Sequence, residues 1–525
     1  MKTLYFNGDI ITMANQPMPQ AVLTEEGKIM CTGDYDKLSA KADVMFDLKG
    51  RTMLPAFIDG HSHFTTVANT LAIADLSQAK SIYEVIGILN NFKSAKGQLD
   101  KDEFIIGFGY DNNFFKDKKH PDKTDLDKIS IENPVLISHA SGHMGVANSK
   151  ALKIMGIDCN TPNPEGGFIG HNADGTLNGY LEETAFTQNT SVIKQPDYND
   201  MVKLVQQAEN IYFRYGITTV QDGFTGEKEW ALLHRLSMDK KLTADVVSYV
   251  DINNCSSVLE NNMAYNNSYI NNLKIGGYKM FLDGSPQGRT AWMTKPYENS
   301  GDYCGYPIYS DETVYDFVTK AINEKQQLLC HCNGDAAAEQ FISAFEKADE
   351  NLCTKNNNRP VLIHGQLAVP QQMPRVAELD MIVSFFVGHT WQWGDVHLEN
   401  FGDRAMKICP VNSANNCNVV TTFHQDSPVL PPDMMQTVWC AVNRVTKNEI
   451  QLDESEKISV YDALKAITIN AAYQYGEEAV KGSIEQGKDA SFVILSENPL
   501  LCDKMDLNKI IVETTILRDR IVYEK

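Results

Sequence analysis

The chain has no run that reaches the ~18 apolar residues of a membrane-spanning helix, which excludes an integral helical membrane protein. It has no C-x-x-C pair, and its 11 cysteines are scattered and odd in number. That pattern excludes a disulfide framework or a cysteine-ligated zinc module and fits reduced thiols in a cytoplasm. The closest pair, Cys330 and Cys332, only flanks His331. Basic residues are scarce: 47 Lys and Arg face 68 Asp and Glu, a formal net charge of −21. A nucleic-acid or anionic-membrane partner is thereby excluded, because phosphate would be repelled. The opening MKTLYFNGDIITM lacks a secretory h-region, so no signal peptide is expected. There is no internal repeat and no low-complexity tract. What remains, 43% apolar and 22% charged residues, is ordinary for a globular protein. We expect a cytoplasmic protein acting on a small-molecule substrate; a homodimer is compatible with the sequence.

Both ends read as short strands and turns. Leu4–Met13, Ala21–Glu25, Lys28–Cys31 and Val44–Leu48 lie at the start, and Ser491–Leu495, Ile510–Leu517 and Ile521–Tyr523 at the end. Neither end holds enough strands for a comfortable sheet. Residues 1–52 and 480–525 are therefore expected to build one small composite β-sandwich.

Between them, strands alternate with helical segments, the signature of βα units and a parallel sheet. Strands are expected at Leu54–Ile58, Thr218–Gln221, Asp245–Val250, Tyr278–Leu282, Leu328–His331, Val361–His364, Met381–Phe385 and Val419–Phe423. Helical patterns include Met201–Tyr215, Thr313–Lys325 and Ala336–Ala348. The fold class is α/β: a (β/α)₈ TIM-type barrel over residues 53–479, with its active site at the C-terminal ends of the strands. About 150 residues separate the first two strands, too many for a loop. Residues from about 104 to 190, including Phe104–Phe108 and Val135–Ser138, are expected to form an inserted subdomain beside the barrel mouth.

The strand ends carry the chemistry. Leu54–Ile58 leads into His61-Ser62-His63, whose two imidazoles share one face if the strand spacing continues. Lys279 lies on the fourth strand, His331 and His364 end the fifth and sixth, and the eighth leads to Asp426. In a closed barrel these positions converge. Imidazole and carboxylate suit Zn²⁺, and also Mn²⁺, Fe²⁺, Co²⁺ or Ni²⁺.

With these residues in place the chain resembles the amidohydrolase superfamily, and within it the amidohydrolase-3 group, which includes the YtcJ-like proteins and the N-substituted formamide deformylases. The motifs are PAFIDGHSHF (55–64), GYDNNFF (109–115), SGHMGVANSKAL (141–152), GYLEE (179–183), GITTVQDG (216–223), YKMFLDGSPQGRTAWM (278–293), HCNGDAAAE (331–339), QDSPV (425–429) and KGSIEQGKDASFVIL (481–495). The resemblance implies a barrel with a β-sandwich from both termini. It implies one or two divalent ions, zinc first, with His61, His63 and Asp426 on one and His331 and His364 on the other. Lys279 falls where many relatives carry a lysine carboxylated by CO₂, whose carbamate bridges the metals; Glu183 is the rival bridging carboxylate. The implied activity is hydrolysis of a non-peptide C–N bond, an amide, N-acyl or N-formyl group. Asp426 serves as general acid/base and His331 or a metal stabilises the oxyanion.

Further candidates for substrate contact are Asp111, Asn112, His143, Glu183, Arg289 and His389; Arg289 suits a structural salt bridge first and a substrate carboxylate second. The chain also departs from the family pattern. Ile363 replaces a common Glu before His364, Phe386-Val387 replaces Gln-Pro, and His424-Gln425 replaces a small residue and Ser before Asp426. The alternatives are deamination or cyclic amide or ester hydrolysis on the same metal site, or a metal-free scaffold of this fold.

Overall fold

The structure, a computed structural model, describes residues 1–14, 18–97, 99–189, 193–194, 196–352 and 358–525. Its centre is an eight-stranded parallel sheet whose strands pair in chain order. We label them β1 (Phe57–Ile58), β2 (Ile217–Thr225), β3 (Asp245–Asp251), β4 (Leu273–Phe281), β5 (Gln327–Cys332), β6 (Val361–His364), β7 (Ile382–Phe385) and β8 (Thr421–Phe423). Nearly every residue of these strands is buried, as a parallel sheet covered on both faces requires. The sheet is curled, and beyond its outer strands the Gly60 amide donates to the Phe423 carbonyl at 3.3 Å.

Each strand lies within a few residues of its expected position, except that the first is divided. Thr52–Pro55 pairs antiparallel with Phe492–Leu495 in a different sheet, and only Phe57–Ile58 enters the parallel one. Pro55 has no N–H to extend a ladder, so the chain changes sheets there. The Ala56 amide still bonds Ser491, while the Phe57 amide bonds Gly216.

The helix Tyr198–Arg214 shows how the connecting segments are specified. Asp197 caps it by accepting from the Asp200 amide, and Met201, Val205, Ala208 and Tyr212 form one buried stripe. It stops at Gly216, whose φ of +81° is left-handed, and where a Cβ would lie 2.7 Å from Val493.

Two smaller sheets involve the termini. One is four-stranded and N-terminal; the other takes Asp9–Ile10 and Thr52–Pro55 together with the last three strands. Tyr5, Val22 and Ile29 share a core with Ile484, Phe492 and Ile494. A fourth sheet, six-stranded, runs from Ala74–Asp75 through Ile105–Tyr110, Val135–His139 and Met144–Ala147 to Leu177–Glu183 and Gly167–His171. Separate apolar clusters pack around it. The expected downstream limit of the insertion, residue 190, lies outside the described residues. No helix among the described residues is long and apolar enough to cross a membrane.

Candidate metal centre

His61 follows β1 on a turn in which the Asp59 carboxylate accepts from the His61 amide at 3.2 Å. Its ring fits only because position 223, on β2, is glycine: a Cβ there would sit 2.4 Å from His61 Cε1. Gln221, also on β2, accepts from His61 Nδ1. That amide cannot turn, because its Nε2 donates to the Gly60 carbonyl at 3.1 Å and to Tyr475 Oη at 2.9 Å. With a proton on Nδ1, the lone pair lies on Nε2 and faces the centre.

His61 Nε2 stands 3.5 Å and His63 Nε2 3.3 Å from Asp426 Oδ1, and one nitrogen or oxygen from each residue lies within 4.8 Å of the others. Donors bonded to one tetrahedral ion at ~2.0–2.1 Å are separated by ~3.3–3.4 Å. The spacing of these three residues therefore fits a Zn²⁺-sized ion. Asp426 Oδ1 is buried and has no hydrogen-bond donor. Around this trio, Lys279 Nζ is 3.1 Å from His61 Nε2, and His364 Nε2 is 3.2 Å from His331 Nδ1 and 3.9 Å from Asp426 Oδ2. The structure thus brings together all six residues expected as ligands.

Two of them adopt left-handed backbone: φ is +78° at His364 and +53° at Asp426. Such conformations cost non-glycine residues ~1–3 kcal/mol each and collect at functional sites. His424 supports His364 from behind, its Nε2 3.1 Å from His364 Nδ1 and its Nδ1 2.9 Å from Ser384 Oγ.

Burial sets the charge states. It pushes the imidazoles of His61, His331 and His364 well below the ordinary histidine range, and neighbouring Lys279 and histidines add to the effect. His424 falls to about 3 for the same reason, burial first. Neutral imidazoles keep the lone pairs that metal binding requires. The Lys279 amine is pushed by burial down to about 8. Burial alone would raise the Asp426 carboxyl, but the adjacent His63, with His424 and Lys279 nearby, holds it below the usual range.

Two residues of the six-stranded-sheet region approach this centre. His143 Nδ1 pairs with Glu183 Oε2 at 2.7 Å, and the His143 ring lies 5.2 Å from that of His331. Burial opposes charge on His143, yet the Glu183 carboxylate raises its pKa above the ordinary value. Glu183 itself has φ +50°.

Among the weaker candidates, His389 and His143 line a small cavity of about 20 Å³ beside the cluster, together with Ser285, Gln287, Asn333, Gln366 and Phe386. Asp111 is buried elsewhere: it accepts from Trp393 Nε1 at 2.7 Å and faces His139 Nε2 at 3.3 Å. Asn112 donates to the Lys118 carbonyl. Arg289 donates to Asn400 Oδ1 at 2.8 Å. Neither Asp111, Asn112 nor Arg289 borders the cavity.

Gln221, Gly223 and His424 carry structural duties that sequence reasoning did not assign. Gln221 and Gly223 lie on a predicted strand or just past its end, as the histidines do, which is the signal that singles them out. Nothing local marks His424, because its partners Ser384 and His364 are distant in the chain.

A family profile described as "Amidohydrolase family" matches residues 44–523. YtcJ of Bacillus subtilis is 27% identical over 100% of both chains. The N-substituted formamide deformylase of Arthrobacter pascens is 26% identical, covering 99% of this chain and 98% of its own. An uncharacterized metal-dependent hydrolase from Pyrococcus horikoshii OT3 superposes with a TM-score of 0.77 at 25% identity, over 96% of this chain and 99% of that one.

Proposed function

The chain belongs to the amidohydrolase family, and from that premise we propose that it is a metal-dependent hydrolase of a non-peptide C–N bond, an amide, N-acyl or N-formyl group on a small molecule. The observation that carries this reading is the spacing of His61, His63 and Asp426, which matches the ligand set of one divalent ion. The 26% identity to an N-substituted formamide deformylase favours the amide bond over the other substrates such a centre can take.

His61, His63 and Asp426 would hold one ion, zinc by the chemistry of the donors, and His331 and His364 a second. A bound ion supplies Lewis acidity, which makes water a nucleophile near neutral pH and polarises a carbonyl. Asp426 accepts a proton from the attacking water and delivers it to the leaving nitrogen. Its depressed pKa keeps it ionised and ready as the base. The developing oxyanion would be stabilised by His331 or by a bound metal.

Lys279 is assigned to the ligand set as a carbamate. With its pKa near 8, a substantial fraction of the amine is neutral at ordinary pH. The neutral nitrogen forms an N–C bond to CO₂ and loses a proton, leaving an anionic oxygen pair. Lys279 is favoured over Glu183 for this role because its Nζ lies against His61, whereas Glu183 is held by His143. On the same reading the curled sheet closes as a (β/α)₈ barrel over residues 53–479, supported by the Gly60–Phe423 bond. The terminal sheets then form a β-sandwich of residues 1–52 and 480–525, supported by their shared core.

The test is release of amine from a panel of N-formyl, N-acetyl and aryl amides by the wild-type protein and by His61→Ala with His63→Ala. Turnover of at least one member, lost in the double variant, is the expected result. Unchanged turnover in the double variant would refute the mechanism.

A further inference from the structure

The cavity beside the cluster has an unusual wall. Four uncharged side chains border it, Ser285, Gln287, Asn333 and Gln366, and each is at most 5% exposed. Each also keeps a buried oxygen with no hydrogen-bond partner: Ser285 Oγ, Gln287 Oε1, Asn333 Oδ1 and Gln366 Oε1. Buried polar atoms in folded proteins are nearly always satisfied, so a group of four around one cavity marks a place where something else completes them. Three of the four are carboxamide oxygens, which only accept. The orientation of Asn333 is fixed, because its Nδ2 donates to the Gly284 carbonyl at 2.7 Å and a turned amide would oppose two oxygens.

The charge of the wall points the same way. Among the described residues, no arginine or lysine borders the cavity. Arg289, the residue suited to a carboxylate, is occupied by Asn400 Oδ1 and lies over the Tyr297 ring. His143 is already paired with Glu183. A carboxylate placed here away from the metal would face carboxamide oxygens, with no lysine or arginine beside it among the described residues. The cavity measures about 20 Å³, room for about one or two waters, so only a small polar group of a ligand enters it.

We infer that the substrate is a small, uncharged amide that carries additional N–H donors and no carboxylate, recognised by the oxygens of Asn333, Gln287 and Gln366. This rests on the hydrolase reading and narrows it to a substrate class. A site built to accept hydrogen bonds rejects analogues that lack the donor far more strongly than an apolar site does, because its own polar groups are left unpaired.

Three N-formyl compounds of matched size test this: N-formyl-β-alaninamide, its N,N-dimethylamide, and N-formyl-β-alanine. Formate release and calorimetric binding are measured on the zinc-loaded full chain, for the wild type and for Gln287→Leu and Gln366→Leu. The expected result is a kcat/KM for the primary amide at least about tenfold above both others. The advantage over the dimethylamide should shrink in the Leu variants through KM rather than kcat. Equal turnover of the three compounds, or a preference for the carboxylate, would overturn the inference and leave the hydrolase reading intact. Binding in the expected order without formate release would support the recognition and count against hydrolysis of the formyl group. Absence of both binding and turnover for all three compounds would also overturn the inference.

Discussion

Gln221 decides which nitrogen of His61 faces the cluster. Its Oε1 takes the Nδ1 proton, and its own amide is pinned by Gly60 and Tyr475. Groups that orient a metal-bound imidazole in this way are worth about 10–100-fold in metal affinity. Gln221→Leu is expected to weaken zinc binding by about that factor in chelator competition, with the thermal unfolding of the metal-free protein little changed. Unchanged affinity would remove Gln221 from the account. At this scale the sequence was readable where residue type itself names the chemistry: His61, His63, Lys279, His331, His364 and Asp426 all converge. Gln221 was not readable, because a glutamine on a strand has many ordinary roles and only its distant partners assign this one. The same applies to Asp111, whose bond to Trp393 Nε1 spans 282 residues and ties the six-stranded-sheet region to the segment after β7.

Among the elements, helix Tyr198–Arg214 carries a buried acid that makes it sensitive to pH. Glu209 is 2% exposed and accepts the backbone amides of Thr243 and Ala244 through one oxygen. Burial outweighs those bonds and raises its pKa from 4.5 to about 7. Between those two values the folded state holds more protons than the unfolded state, so stability falls as pH rises through this window. The full loss is of order 3 kcal/mol, from roughly 1.4 kcal/mol per pH unit. Glu209→Gln keeps the acceptor oxygen and removes the titration. Its denaturation midpoint is expected to vary less between pH 5 and pH 8 than that of the wild type, with the gain at pH 8. The opposite slope would show that Glu209 is ionised at no cost. Element positions were largely readable, since strands buried on both faces and amphipathic helices leave strong patterns. The division of the first strand was not, because Thr52–Ile58 is uniformly apolar and only Pro55 marks the change of sheet. Within the insertion, Gly167–His171 and Leu177–Glu183 lie in glycine-rich polar sequence, where the strand signal is weak.

The molecule as a whole is joined across its layers by buried charges. Lys481, near the start of the C-terminal segment, pairs with Asp245 at the start of β3 at 2.6 Å and with Glu477 at 2.9 Å. Arg518 reaches the same aspartate at 2.7 Å, and Lys274 at the start of β4 pairs with Glu477. This network locks the end of the parallel sheet away from the metal centre to the terminal sheets. Removing one member of a buried pair leaves the other uncompensated, at a cost of ~3–5 kcal/mol. Lys481→Met is therefore expected to lower the denaturant midpoint clearly, while the isosteric apolar stem is retained. A change within about 0.5 kcal/mol would show that the network is already satisfied by Arg518 and Lys274. Local pattern reveals only the Glu477–Lys481 pair, four residues apart; Asp245 lies 236 residues from Lys481 and alone reads as an ordinary surface charge.

The chain is expected to hold a divalent metal with His61, His63 and Asp426. Metal analysis by mass spectrometry on protein purified without chelator and dialysed against zinc tests it most directly. The expected result is at least about one tightly bound equivalent per chain, lost in His61→Ala with His63→Ala. Less than about half an equivalent in the wild type, or the same content in the double variant, would contradict it.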